Sequence, residues 1–228
     1  MNDLSYLRDL GRLLDDQERV RIMNSNRIAA AEREYGSARP HLIVIQEEIH
    51  KVEGIIIRQL ESAWKQHPLA PWAKTIPGAG PKLMSRLISE VGDPADRANP
   101  AKLWAYCGHG DPARRRVKGM SQEDALKLGN PWAKKRVWLL SNQFMKTRQS
   151  PYRVVYEDAR SRANEDWTLG HQHAHALRLV GKQFLLDLWI EAWRLRTLAT
   201  GEVPARRGGR RGRESQKRHQ AARAARTS

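Results

Sequence analysis

One cysteine in 228 residues, Cys107, excludes an internal disulfide framework, and with no second thiol there is no cysteine cluster to hold zinc. Phenylalanine is nearly as scarce, at two residues. No apolar run approaches the roughly 18 residues that a membrane-spanning helix needs, and charge begins at Asp3, where a secretory leader would still be building its apolar stretch. The expectation is a reduced, cytoplasmic protein with no membrane partner. Strand signals are also missing: the β-branched run Ile55 to Ile57 lies inside a helical repeat, so the expected class is all-α. The deficit with the largest consequence is of acid. Asp and Glu total 25 against 41 Lys and Arg, which leaves a formal charge of +16 and a pI near 10.5. Such an excess points to a polyanionic partner, nucleic acid first.

Along the chain the composition separates a helical stalk (1–66), a globular helical unit (69–198) and a basic tail (201–228). In the stalk, Leu7, Leu10 and Leu14 start an apolar stripe, and after Gly36 to Pro40 a second helix is predicted over 41–66. There Leu42, Ile45, Ile49, Val52 and Ile56 alternate at three- and four-residue steps, a heptad seam for a coiled coil and a homodimer. The first helix folding back and a second chain docking are both expected. In the globular unit, helices are predicted over 81–91, 100–107, 131–148, 150–163 and 172–198. Asn99-Pro100, Asn130-Pro131 and Ser150-Pro151 each set a capping side chain before a proline at the first helical position. The tail carries eight arginines and Lys217 against Glu202 and Glu214, with almost nothing to bury. It is expected to be disordered when free, with Arg206, Arg207, Arg210, Arg211 and Arg213 tethering nucleic acid.

The densest local signal is Ile76-Pro77-Gly78-Ala79-Gly80-Pro81-Lys82. Gly78 and Gly80 permit positive φ and close backbone approach. Pro81 suits the first turn of a helix, so the amides of Lys82, Leu83 and Met84 are predicted to face outward at a positive helix N-terminus, with the Lys82 ammonium beside them. Residues 70–91 resemble a helix-hairpin-helix motif, which implies sequence-independent gripping of a nucleic-acid backbone; a plain turn between helices is the other reading.

A wider resemblance runs through Ile76-Pro77-Gly78-Ala79-Gly80, Leu103-Trp104-Ala105-Tyr106-Cys107-Gly108 with Pro112, Leu128-Gly129-Asn130-Pro131 with Lys135-Arg136, Pro151 to Tyr156, and His175-Ala176 before a Leu- and Trp-rich last helix. In this order the pieces resemble the C-terminal transposase domain of the insertion-sequence recombinases that use a bridge RNA, preceded in that family by a coiled coil. The resemblance implies a role in DNA transposition or recombination. In the family, the chemistry is divided between a RuvC-like domain with metal-binding carboxylates and a serine nucleophile in the C-terminal domain. The sequence starts in stalk-like helix, so no RuvC-like domain is expected in it. Where the family sets its serine, this chain has Arg115 and Arg116, and a guanidinium offers no lone pair for attack.

No catalytic residue is therefore expected, with Ser121 the nearest candidate and the N-cap of a short helix its other reading. The basic run Arg114, Arg115, Arg116 and Lys118, with Lys127, Lys134, Lys135 and Arg136 after it, is expected to extend the phosphate-binding surface begun at Gly78, Gly80, Pro81 and Lys82. His171, His173 and His175 lack a nearby carboxylate or cysteine, so no metal site is predicted and packing or phosphate contact is the expectation. Trp72 and Trp132 are held open for base stacking, and Trp189 and Trp193 are expected in the core. Three functions remain: a non-catalytic DNA-binding protein of transposase descent, an active recombinase subunit completed by a separate RuvC-like chain and its Mg2+, or a structural dimer whose charge serves solubility. No cofactor is expected for the chain alone, and structured RNA stands beside DNA as a partner.

Overall fold

Proline sets the starts of five helices. The computed structural model describes residues 4–203, save residue 112 and residues 114–116, and among them every regular element is helical. The elements are α1 (Leu4–Tyr35), α2 (Pro40–Lys65), α3 (Ala70–Lys74), α4 (Pro81–Val91), α5 (Pro100–Tyr106), α6 (Gln122–Lys127), α7 (Pro131–Lys146), α8 (Pro151–Ser161) and α9 (Leu169–Thr200), with a 3-10 turn at Pro94–Asp96. Pro40, Pro81, Pro100, Pro131 and Pro151 open their helices, where the missing N–H costs nothing. Asn99 and Asn130 cap as expected, accepting from the amides of Lys102 (3.1 Å) and of Trp132 and Ala133 (2.8 and 3.1 Å). Ser150 does not: its hydroxyl is buried without a partner among the described residues. The last helix begins earlier than predicted, because Thr168 Oγ1 accepts from the His171 amide and caps it.

α1 and α2 form an antiparallel hairpin, as the fold-back expectation required. Near its base Leu7, Leu14, Ile56 and Leu60 are almost fully buried against one another, each stabilising by roughly 1.5–3 kcal/mol. Farther out the interior turns polar. Asn24 donates to the Leu42 carbonyl (2.8 Å) and to Gln46 (2.9 Å), and Arg21 pairs with Glu53 at 3.0 Å. The base of the hairpin is not a free stalk; α1 and α2 both pack on α4. Gly11 sits at this contact, where a Cβ would lie at 3.5 Å from both Arg86 Cγ and Ser89 Oγ, an ordinary packing distance.

α4 is consequently the central helix. Every residue from Met84 to Val91 is buried, polar ones included, because α1 and α2 cover one side and α7 the other. The apolar core continues through Leu103, Val137, Leu140, Phe144, Phe184 and Leu188, with α8 and α9 as a second helical hairpin behind α7. This arrangement leaves only the N-terminal tip of α4, at Gly80, open to solvent.

Candidate nucleic-acid interface

The two glycines of the 76–82 turn do different things. Gly78 has φ +98°, and a Cβ there would lie 3.0 Å from Phe144 Cδ1 and 3.2 Å from Thr147 Oγ1. Its bare face thus packs on the end of α7 and does not face a ligand, which corrects its expected role in backbone approach. Gly80 is extended (φ −65°, ψ 150°) and exposed, and a Cβ added to it would meet no atom within 4 Å. The amides of Leu83 and Met84 already donate to the Gly80 carbonyl at 3.1 and 3.0 Å. Of the three amides expected to face outward, that of Lys82 remains, as it must at the second position of any helix. The Lys82 ammonium is also engaged, 2.8 Å from Glu18 of α1.

That contact belongs to a buried ion cluster between α1, α4 and α7 that local sequence patterns did not reveal. Asp15 accepts from Arg86 (2.7 Å), from Lys135 (2.9 Å) and from Arg136, and Glu18 accepts from Arg86 at 2.9–3.1 Å. Burial pushes both carboxyls up, but the hydrogen bonds from Arg136 and Lys135 hold Asp15 below its ordinary value, and those from Arg86 and Lys82 hold Glu18 down to about 2. Arg136, 1% exposed, is therefore a structural residue out of reach of a phosphate, which corrects its assignment to the binding surface. Beside it Glu90 accepts from Arg12 (3.3 Å) and from Asn130 (3.2 Å), tying the α7 cap to α1.

The remaining predicted cations divide by partner. Lys127 pairs with Asp124 (2.9 Å) and Glu123 (3.4 Å), and Lys135 with Asp15, while Lys118 and Lys134 are exposed without an ion pair among the described residues. The stem of Lys134 crosses Gly108, with Cδ 2.8 Å from where a Cβ would stand. Arg114, Arg115, Arg116 and the tail residues Arg206, Arg207, Arg210, Arg211 and Arg213 lie outside the described residues. Ser121 Oγ accepts from the Asp124 amide (3.0 Å) and donates to its carboxylate (2.9 Å), the geometry of a reciprocal N-cap on α6.

Among the described residues no three His, Cys, Asp or Glu side chains are grouped to hold a metal ion. The three histidines are in ring contacts: His171 stacks on Trp167 at 4.2 Å, His175 meets its edge at 5.0 Å, and His173 Nδ1 lies 2.7 Å from Tyr156 Oη. Trp72 stacks 6.1 Å from Phe184 in the core, so it is not free for a base; Trp132 lies 5.8–5.9 Å below Lys135 and Arg136. The exposed tryptophan is Trp138, at 52%, which sequence reasoning passed over. Its signal was present in Lys134-Lys135-Arg136-Val137-Trp138, an aromatic that follows three cations.

The expected dimer seam splits in two. Ile49 and Ile56 are buried within the hairpin and Leu42 is half-buried, whereas Ile45 and Val52 are exposed at 46% and 42%. A single heptad line cannot serve both α1 and a second chain when the two helices are already packed on Ile49 and Ile56.

Among the described residues no helix is long and apolar enough to cross a membrane. No curated protein and no solved structure matches the chain. Residues 71–151, which run from α3 through the open tip of α4 and all of α7 to Pro151, match the model of the Transposase IS116/IS110/IS902 family, so the central part of this unit is similar to transposases of that family.

Proposed function

We propose that this protein binds DNA along its phosphate backbone, through a helix-hairpin-helix formed by α3, the 76–82 turn and α4, and that by itself it neither cuts nor joins strands. The observation that carries the reading is the open N-terminus of α4 at Gly80, lying inside the segment similar to transposases. Lys118 and Lys134, the Arg114 to Arg116 run and the tail arginines add sequence-independent attraction. Two features favour a non-catalytic role: arginines where the resembled family sets its serine, and the commitment of the Ser121 hydroxyl to Asp124. Strand chemistry in this reading would need RuvC-like carboxylates and Mg2+ beyond the unit formed by residues 69–198. Structured RNA offers the same phosphates and is a second polyanion for the same surface.

The chain works as a homodimer in this reading, through the outer face of the helical hairpin. Leu13 and Val20 on α1, and Ile45 and Val52 on α2, are each seven residues apart, so each pair shares a helix side. These four aliphatic side chains are 42–46% exposed. A second hairpin would complete a four-helix bundle there.

A salt titration tests the DNA reading. If about six phosphates are neutralised, log K falls with log salt at a slope near −5 on duplex DNA. Removal of residues 201–228 flattens that slope. Gly80→Val, which fits the extended backbone and open space at that position, weakens binding while leaving the slope nearly unchanged. Unaltered affinity in the folded Gly80→Val protein would reduce the 76–82 motif to a plain turn.

A further inference from the structure

Seven of the eight tryptophans have a ring or cation against them: Trp64 with His67, Trp72 with Phe184, Trp104 with Lys182, Trp132 with Lys135 and Arg136, Trp167 with His171, and Trp189 with Trp193. Trp138 has neither among the described residues, and is half out in solvent. An indole exposes a large apolar face to water at a cost that packing normally removes, so one left bare beside charge calls for a ligand with a flat face. α7 is free of acidic residues along its whole length and carries Lys134, Lys135, Arg136 and Lys146. Lys134 lies one turn before Trp138 and Asn142 one turn after, and residues four apart share a helix side. Asn142 Nδ2 donates to the Trp138 carbonyl at 2.9 Å. The Lys134 stem crosses Gly108, and its ammonium has no ion pair among the described residues.

We infer that Trp138 and Lys134 form a stacking platform for an unpaired base of a single-stranded nucleic acid, with Lys134 on the adjoining phosphate. The charge of α7 suits a polyanion, and the ring suits a base face. A base inside a duplex presents only its edges in the grooves, whereas a single strand can lay a base flat on an indole. Trp138 is exposed where Arg136, two residues earlier on α7, is buried against Asp15 of α1, so the platform lies on a different side of α7 from the ion cluster. It rests on the nucleic-acid reading above and adds a preference for unpaired strands.

The test uses the full chain and fluorescence anisotropy with three labelled probes, oligothymidylate and oligouridylate of about twelve nucleotides and a duplex, each titrated over several salt concentrations. Trp138→Ala should weaken binding to the single strands about tenfold with the salt slope unchanged, and leave duplex affinity within about twofold. Trp138→Phe should restore most of the loss. Lys134→Gln should lower the single-strand slope by about 0.7, one phosphate. Unequal losses on the two oligonucleotides identify DNA or RNA as the natural strand. A Trp138→Ala protein with unchanged single-strand affinity, or with an equal loss on duplex, overturns the platform while leaving duplex binding intact. A wild-type chain that binds none of the three probes overturns the platform and the proposed function together.

Discussion

Replacing Asp15 by Asn keeps the shape of the side chain and removes its charge from between Arg86, Lys135 and Arg136. Arg86 retains Glu18, but Arg136 has no second carboxylate, and its Nε and Nη1 already lack partners among the described residues. The guanidinium is 1% exposed and cannot recover its hydration without opening the contact between α1 and α7. Breaking a buried pair from one side in this way costs about 3–5 kcal/mol. For a chain of this size each kcal/mol lowers the melting midpoint by about 2–4 °C, so the variant should melt on the order of 10 °C earlier. Urea unfolding followed by far-UV circular dichroism and by tryptophan fluorescence gives the free energy directly, and coincident curves establish that the transition is two-state. Removing both charges, with Asp15→Leu and Arg136→Met together, should return most of the stability, because the orphaned cation is then gone. A cost for Asp15→Asn below about 1 kcal/mol, the range of a solvated surface pair, would refute the argument that the cluster is dry.

The same cluster sets an acid limit. Glu18 moves from an ordinary 4.5 to about 2 and Asp15 is also depressed, so their contribution is fully present above about pH 4.5 and is lost as pH falls toward 2; a melting midpoint that is flat across that window would show that neither carboxylate is tied down. For assembly, Leu13→Glu with Val52→Glu should turn a dimer into a monomer by light scattering at micromolar concentration, since carboxylates buried across an apolar contact are costly; a monomeric wild type removes the dimer from the proposal.

Much of the fold was legible because its signals are local. A proline at the first helical position acts within one turn, and Asn99 and Asn130 cap within three residues, so α4, α5 and α7 begin where the sequence places them. α3 and the 3-10 turn are too short to show a period. The burial of α4 is hidden from the sequence for a different reason. Ser85, Arg86, Ser89 and Glu90 look like a solvent face, yet all four are buried, because the carboxylates that answer Arg86 come from 68 and 71 residues earlier. No window along the chain contains both halves of that pair. The candidate site suffered similarly: Lys135 and Arg136 read as free cations until α1 is laid against them, and Gly78 reads as a ligand contact until Phe144 is found beneath it.

The position of Asp15 and Glu18 also bears on what holds the molecule together as a unit. The stretch similar to transposases, 71–151, contains Arg86 and Arg136 but neither of the carboxylates that neutralise them. Without α1 it would lose both the cover over those two guanidiniums and the carboxylates that pair with them, and the apolar side of α4 would be laid open beside them. The helical hairpin and the segment behind it are therefore one physical unit, joined by charge as well as by apolar packing.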